Sequence, residues 1–175
     1  MEEPINTAKQ SPAKRQQAPL GQLGDLAAFA ESSTFSALLT GSACQRSAAL
    51  ERYVEALGLR HYIEGDLLRL TTPPTELDIT WLRGQMGAGA EIHYDRVVDS
   101  TNRIALERSM TGTSCFIAEF QSGGRGRSGR KWISPYGDNL SLSVAMVVDC
   151  SVASLGGLSL AIGFGMVEAL RAQKV

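Results

Sequence analysis

Residues 120–135 read FQSGGRGRSGRKWISP. Gly123, Gly124, Gly126 and Gly129 alternate with Arg125, Arg127, Arg130 and Lys131, and no acidic residue follows until Asp138. Glycines let a backbone come close to a ligand, and guanidiniums supply planar, permanent charge matched to phosphate or carboxylate. A stretch of this composition is suited to grip an anion.

Gly124, Gly126 and Gly129 also satisfy the dinucleotide spacing G-x-G-x-x-G, and the mostly apolar run from Cys115 to Phe120 before them reads as a strand. A dinucleotide loop must open a helix, however, and the residues from Arg130 to Pro135 have neither amphipathic spacing nor small packing side chains. A solvated Gly/Arg surface loop, or a patch for nucleic acid, is the blander reading. Against it, the stretch is short, holds one aromatic beyond Phe120, and sits between two strand-like segments in a chain of net charge -1.

A third reading comes from a resemblance. GRGRSGRKWISPYGDNLSLS resembles the adenylate-binding loop of the biotin protein ligases, whose pattern is GRGR, one variable residue, GR, a basic residue, Trp, an apolar step, SP and later NL. Upstream, Asp99-Ser100-Thr101-Asn102 is similar to the family's DSTN segment, and GLSLAIG at 157–163 is similar to the start of a family helix. The resemblance implies ligation of biotin through an adenylate, with biotin and ATP as substrates, Mg2+ expected with the ATP, and a biotin carboxyl carrier protein as acceptor. It implies that Arg125, Gly126 and Arg127 hold biotin or its adenylate, with help from Gln121, and that Trp132 packs against the adenylate. Ser100, Thr101 and Asn102 would bind the biotin head group and carboxylate side.

Working outward, Ile92, Tyr94 and Val97 suggest a strand that ends at Asp99, where Asp99 or Ser100 would cap a helix containing Ile104, Ala105 and Leu106. Simple capping explains that segment, and so does a polar ligand held by amides and hydroxyls at a helix start. Beyond the glycine stretch, Leu140, Leu142, Val144, Met146 and Val148 alternate with small residues, as in a strand with one buried face. Ser154 would then cap a helix using Leu155, Leu158, Ile162, Met166 and Leu170, with Gly163 and Gly165 allowing close packing on the sheet.

Toward the N-terminus, residues 1–19 have almost no large apolar side chains and read as a disordered tail. Over 20–72, Leu26 and Phe29 fit a first helix, Phe35 and Leu38 a second, and Leu50, Tyr53, Val54 and Leu57 a third running from Gln45 to Leu57. Strand-like runs then flank the turn Glu64-Gly65-Asp66. The layout reads as a winged helix, and it also resembles the N-terminal domain of the regulatory biotin ligases, which double as repressors and dimerise when the adenylate is bound. Gln45, Arg46 and Ser47, at the expected helix start, are the candidates for contact with operator DNA, although Glu51, Glu55, Glu64 and Asp66 offset the local cations. Two readings of the unit stand: DNA binding, and a domain kept for structure or regulation. Pro73-Pro74 marks the boundary, with Thr75 expected to cap a short helix carrying Ile79 and Leu82, and 75–175 forming the second domain.

The expected fold is therefore α/β (α+β): an N-terminal winged helix-turn-helix followed by part of a biotin-ligase-like mixed sheet with helices. With 175 residues, 43% of them hydrophobic, the composition is globular, and the net charge gives no global attraction to a polyanion. Cys44, Cys115 and Cys150 lack metal spacing, and Cys115 and Cys150 read as buried thiols, which suits a reducing cytoplasm. Glycines and polar residues interrupt the longest apolar run, so a soluble cytoplasmic protein is expected, with no membrane span. His61 and His93 stand alone and receive no catalytic role. The sequence stops at Gln173-Lys174-Val175, before the family's KWPND-type strand and its catalytic lysine, and that role is not transferred to Lys174. The expectation is a fragment or truncated product with little or no ligase activity of its own.

Overall fold

The computed structural model describes residues 23–108, 111–124, 126, 130 and 132–173. The expected tail and Arg125, Arg127, Gly129 and Lys131 lie outside the described residues.

Helices α1 (Leu23–Ala30) and α2 (Ser33–Leu39) are followed by a short strand β1 (Cys44–Gln45), helix α3 (Ala48–Ala56) and the hairpin β2 (His61–Glu64) and β3 (Leu67–Leu70). The strands pair antiparallel in the order β1-β3-β2. Ser32 and Ser47 cap α2 and α3, their hydroxyls accepting from Phe35 N and Leu50 N. Gly65 turns the hairpin at a φ of 60°, a conformation that side chains with a Cβ rarely adopt. The start of α3 corrects the expected helix at Gln45. Gln45 instead pairs with Leu67 in β1 and Arg46 N donates to Asp66 O, so the backbone stays with the sheet until Ser47 caps α3.

After Pro74, α4 (Ile79–Met86) begins at Asp78, whose carboxylate accepts from Trp81 N at 2.8 Å; Thr75, the expected cap, stands too early. Strand β4 (Glu91–Val98), helix α5 (Thr101–Glu107) and strand β5 (Ser114–Gln121) form a β-α-β unit with β4 and β5 parallel. β6 (Ser141–Ala145) returns antiparallel on β5, giving the order β4-β5-β6. Ser114 through Phe120 are all buried, as expected of a central strand covered on both faces. On one side Val97 and Phe120 join a core with Leu26, Phe29, Phe35, Leu38, Leu50, Val54, Leu57 and Tyr136. Ile92, Cys115 and Ile117 pack under Leu77, Ile79 and Leu82 in a second cluster.

The C-terminal part departs from expectation. β6 is buried through Ser141, while its apolar residues Leu142 and Val144 are 45% and 49% exposed. Helix α6 (Leu158–Ala172) starts after Gly157 rather than at Ser154, which lies in a preceding 3-10 turn, and every side chain of α6 is exposed. Nothing lies within 4 Å of a Cβ placed on Gly163 or Gly165, so these glycines make no close approach to the sheet among the described residues. Cys150, expected buried, is exposed, whereas Cys115 is buried and burial pushes its thiol pKa up. By length and composition Ala153–Ala172, with a mean hydropathy of 1.5, could cross a membrane, which corrects the expectation that no run was long enough. Gly156-Gly157 separates its 3-10 turn from α6, so the segment is not one continuous helix.

Candidate functional site

In open sheets with parallel strands, ligands bind beyond the carboxyl ends of those strands. Here β4 and β5 end side by side at Val98 and Gln121, and the glycine-arginine stretch leaves from the second of them. Ser122 N donates to Val98 O and Gly123 N to Asp99 O, each at 2.9 Å, so the first turn of the stretch is stitched to the DSTN segment. A Cβ on Gly123 would overlap the Asp99 carboxylate, so any side chain there has to push that carboxylate aside. The Asp99 carboxylate is held in turn by Arg103 Nη2 at 2.5 Å.

Thr101 and Gln121, chosen from sequence, meet directly. Gln121 Oε1 accepts from Thr101 N at 2.8 Å and from Thr101 Oγ1 at 3.2 Å, and Thr101 Oγ1 lies 2.8 Å from Ser143 Oγ on β6. A backbone N–H can only donate, so the amide oxygen of Gln121 faces Thr101 and its NH2 is turned elsewhere. Ser143 was missed as a site residue; its signal was a small polar side chain on the alternating face of an otherwise apolar strand. Ser100 caps α5, its Oγ accepting from Arg103 N at 3.4 Å. The amides expected to be open to a ligand at this helix start are therefore spent internally at Thr101 and Arg103. Asn102 is exposed one residue further on.

Within the glycine stretch, Gly126 N donates to Arg130 O at 2.9 Å. Trp132 is half exposed, and its indole lies close against Gly124, where an added Cβ would come within 3.2 Å of the ring. Arg125 and Arg127 lie outside the described residues. Ser122 Oγ and Ser134 Oγ, at the two roots of the stretch, are buried hydroxyls without a hydrogen-bond partner among the described residues. Unsatisfied buried groups of this kind mark places where water or a ligand completes the bonding.

The other candidates are not brought to this place. Ser47 Oγ is engaged in capping α3, and Arg46 Nε is paired with Glu51 Oε1 at 2.6 Å, which raises the arginine pKa and lowers that of the carboxyl. A cleft of about 520 Å³ lies at the opposite ends of β4 and β5, among Glu91, His93, Arg108, Thr111 and Ser114. His93 there receives a hydrogen bond from Arg108 at 3.0 Å and stacks on Phe116, so its ring is engaged in structure. Size alone does not make this cleft the site, because none of the paired strand-end residues line it.

Residues 94–175 match the profile of the Biotin/lipoate A/B protein ligase family. The chain is 38% identical over 131 residues to the bifunctional ligase/repressor BirA of Escherichia coli, an alignment covering 71% of this chain and 40% of that protein. Over residues 94–175 the chain is a member of the Biotin/lipoate A/B protein ligase family. Another relative, the biotin–acetyl-CoA-carboxylase ligase of Mycobacterium tuberculosis, is 39% identical over 107 residues, 56% of this chain and 40% of that protein. The alignments thus span about two fifths of the length of these ligases. The family profile takes in DSTN, the glycine-arginine stretch, β5, β6 and α6, and so contains both halves of the strand-end site.

Proposed function

We propose that this chain binds biotin and its adenylate at the carboxyl ends of β4 and β5, as part of an ATP-dependent biotin protein ligase. The observation that carries the reading is the direct bonding of Thr101 to Gln121 beside the root of the glycine-arginine stretch. A carboxylate oxygen of biotin attacks the α-phosphorus of Mg2+-ATP, the bond to pyrophosphate breaks, and biotinyl-AMP forms. Two anions must approach for this step, and the guanidiniums of Arg125 and Arg127 offset their repulsion. Gly126 gives the backbone close access, Trp132 covers the adenylate, and Ser100, Thr101, Asn102 and Gln121 hold the biotin side. A lysine amine of a biotin carboxyl carrier protein then attacks the acyl carbon, AMP leaves, and the amine gives up its proton. Calorimetric titration with a non-hydrolysable biotinyl-AMP analogue tests the reading. Saturable binding that Arg125→Ala abolishes supports it; no binding to the unaltered chain contradicts it.

A second reading concerns the N-terminal unit. The order α1, α2, β1, α3, β2, β3, with β1-β3-β2 pairing, favours a winged helix over 20–72, joined at Pro73-Pro74 to the ligase domain at 75–175. As a biotin-responsive repressor the chain would dimerise on operator DNA through Gln45, Arg46 and Ser47. The Arg46–Glu51 pair weighs against strong phosphate contact. Operator affinity that rises with the analogue and falls steeply with salt supports repression, and salt-independent or absent binding contradicts it.

A further inference from the structure

The glycine-arginine stretch is rooted in two different bodies. Its first root, at Ser122 and Gly123, is held by the sheet end. Its second root runs directly into Tyr136, which is fully buried in the core shared with α1, α2 and α3. The Tyr136 ring meets Phe35 of α2 edge-on, with centroids 5.1 Å apart, and Tyr136 N donates to Leu57 O at the end of α3 at 2.9 Å. Its hydroxyl donates to Glu76. Glu76 is fixed by two bonds from Arg96 of β4, at 2.8 and 3.0 Å, and Arg96 also donates to Ala30 O at the end of α1 at 3.0 Å. Pro135 lies on Gly58, where an added Cβ would come within 3.1 Å of it, and Gly137 N reaches Glu119 O at 3.3 Å.

We propose that Tyr136 is a positioning residue that ties the second root of the ligand loop to the N-terminal helices, through Glu76 and Arg96 as far as the end of α1, so that the placement of Trp132 and the affinity for ligand depend on that anchorage. Three residues lie between Trp132 and Tyr136, so a shift of the tyrosine reaches the indole through a short span of chain. By reciprocity, a ligand that fixes the loop stabilises the N-terminal helices by the same factor. The affinity half of the inference rests on the ligand reading above; the placement of Trp132 does not.

The test uses the full chain with Trp81→Phe, which leaves Trp132 as the one tryptophan of two. Tyr136→Phe keeps the ring and removes the bond to Glu76. It is expected to raise solute quenching of Trp132 without ligand and to weaken the biotinyl-AMP analogue about tenfold, the scale of coupling through packed networks. Adding it to Glu76→Ala is expected to change nothing further, because both remove the same bond. Ile92→Val, in the other core cluster, serves as the control and is expected to move neither readout. Unchanged quenching in Tyr136→Phe, or an equal change in Ile92→Val, overturns the proposal. If the unaltered chain fails to bind the analogue, the ligand reading fails, and the quenching result alone decides the role of Tyr136.

Discussion

Two regions built from similarly apolar sequence end up in opposite environments. The junction around Phe35, Leu57 and Tyr136 closes from every side, with helices, sheet and an irregular segment all contributing. The face of β6 and the whole of α6 carry Leu142, Val144, Leu160 and Phe164 with nothing described lying over them. Periodicity reports which face of an element is apolar; whether that face is covered depends on chain elsewhere. The strand-end site lies at the border of the two, since Thr101 is buried against Gln121 while Ser143, its third partner, belongs to the open strand.

The contrast breaks or holds first on stability. Phe35→Ala should cost about 3–5 kcal/mol in denaturant unfolding, the usual scale for emptying a buried aromatic site. Phe164→Ser in α6, at 68% exposure, should stay within about 0.5 kcal/mol. Equal losses would mean that α6 is covered in solution and that the contrast is false. Gly123→Ala should follow, at about 1–3 kcal/mol, since the new methyl must displace Asp99 from Arg103 or part the two strand ends. An unperturbed melting curve would show that the strand-end turn is looser than its hydrogen bonds imply. Thr101→Val is smaller, about 1 kcal/mol, because it preserves shape and removes the hydroxyl joining Gln121 to Ser143. Its stability loss should be matched by Ser143→Ala, and additive losses from the pair would place the two residues in separate interactions.

The smallest effect is a pH dependence set by two phenols, buried Tyr136 in the closed junction and half-buried Tyr94 beside the second core cluster. Burial, with the hydrogen bond to Glu76, pushes the Tyr136 phenol above its ordinary value, and burial with the nearby Glu119 does the same for Tyr94. Unfolded tyrosine ionises near pH 10, approximately, so the stability held by these neutral phenols is complete below that value. It is lost as the pH rises above it, because only the unfolded chain then gains charge freely. Tyr136→Phe should flatten that alkaline decline; an identical slope in both proteins would show that the phenol is not sequestered.

Much of the scaffold was legible. The spacing of Leu50, Val54 and Leu57 gave the buried face of α3, and the mostly apolar run Cys115–Phe120, with Glu119 inside it, gave the central strand. Capping chemistry offered Asp99 or Ser100 for α5, of which Ser100 is the cap, and chose Thr75 over Asp78 for α4, because a cap is defined by where the first helical turn closes and several polar residues compete for it. Gln45 was read as helix since a two-residue strand has no periodicity to detect. In the site, Thr101 and Gln121 were readable only as members of motifs, while their mutual bond and the link to Ser143 arise from the register of three strands. Tyr136 was opaque for the same reason. It lies in an irregular segment where no pattern signals burial, and only the tertiary fold makes it part of the core.

The most direct test of the account is the footprint of the biotinyl-AMP analogue by hydrogen exchange across the full chain. Binding at the strand ends should protect the amides from Ser100 to Asn102, from Gln121 to Gly124, and at Trp132, with weaker protection spreading through Tyr136 to the end of α3. Protection confined to the cleft at Glu91, His93 and Arg108, or none at saturating analogue, would contradict the placement of the ligand beside Thr101 and Gln121.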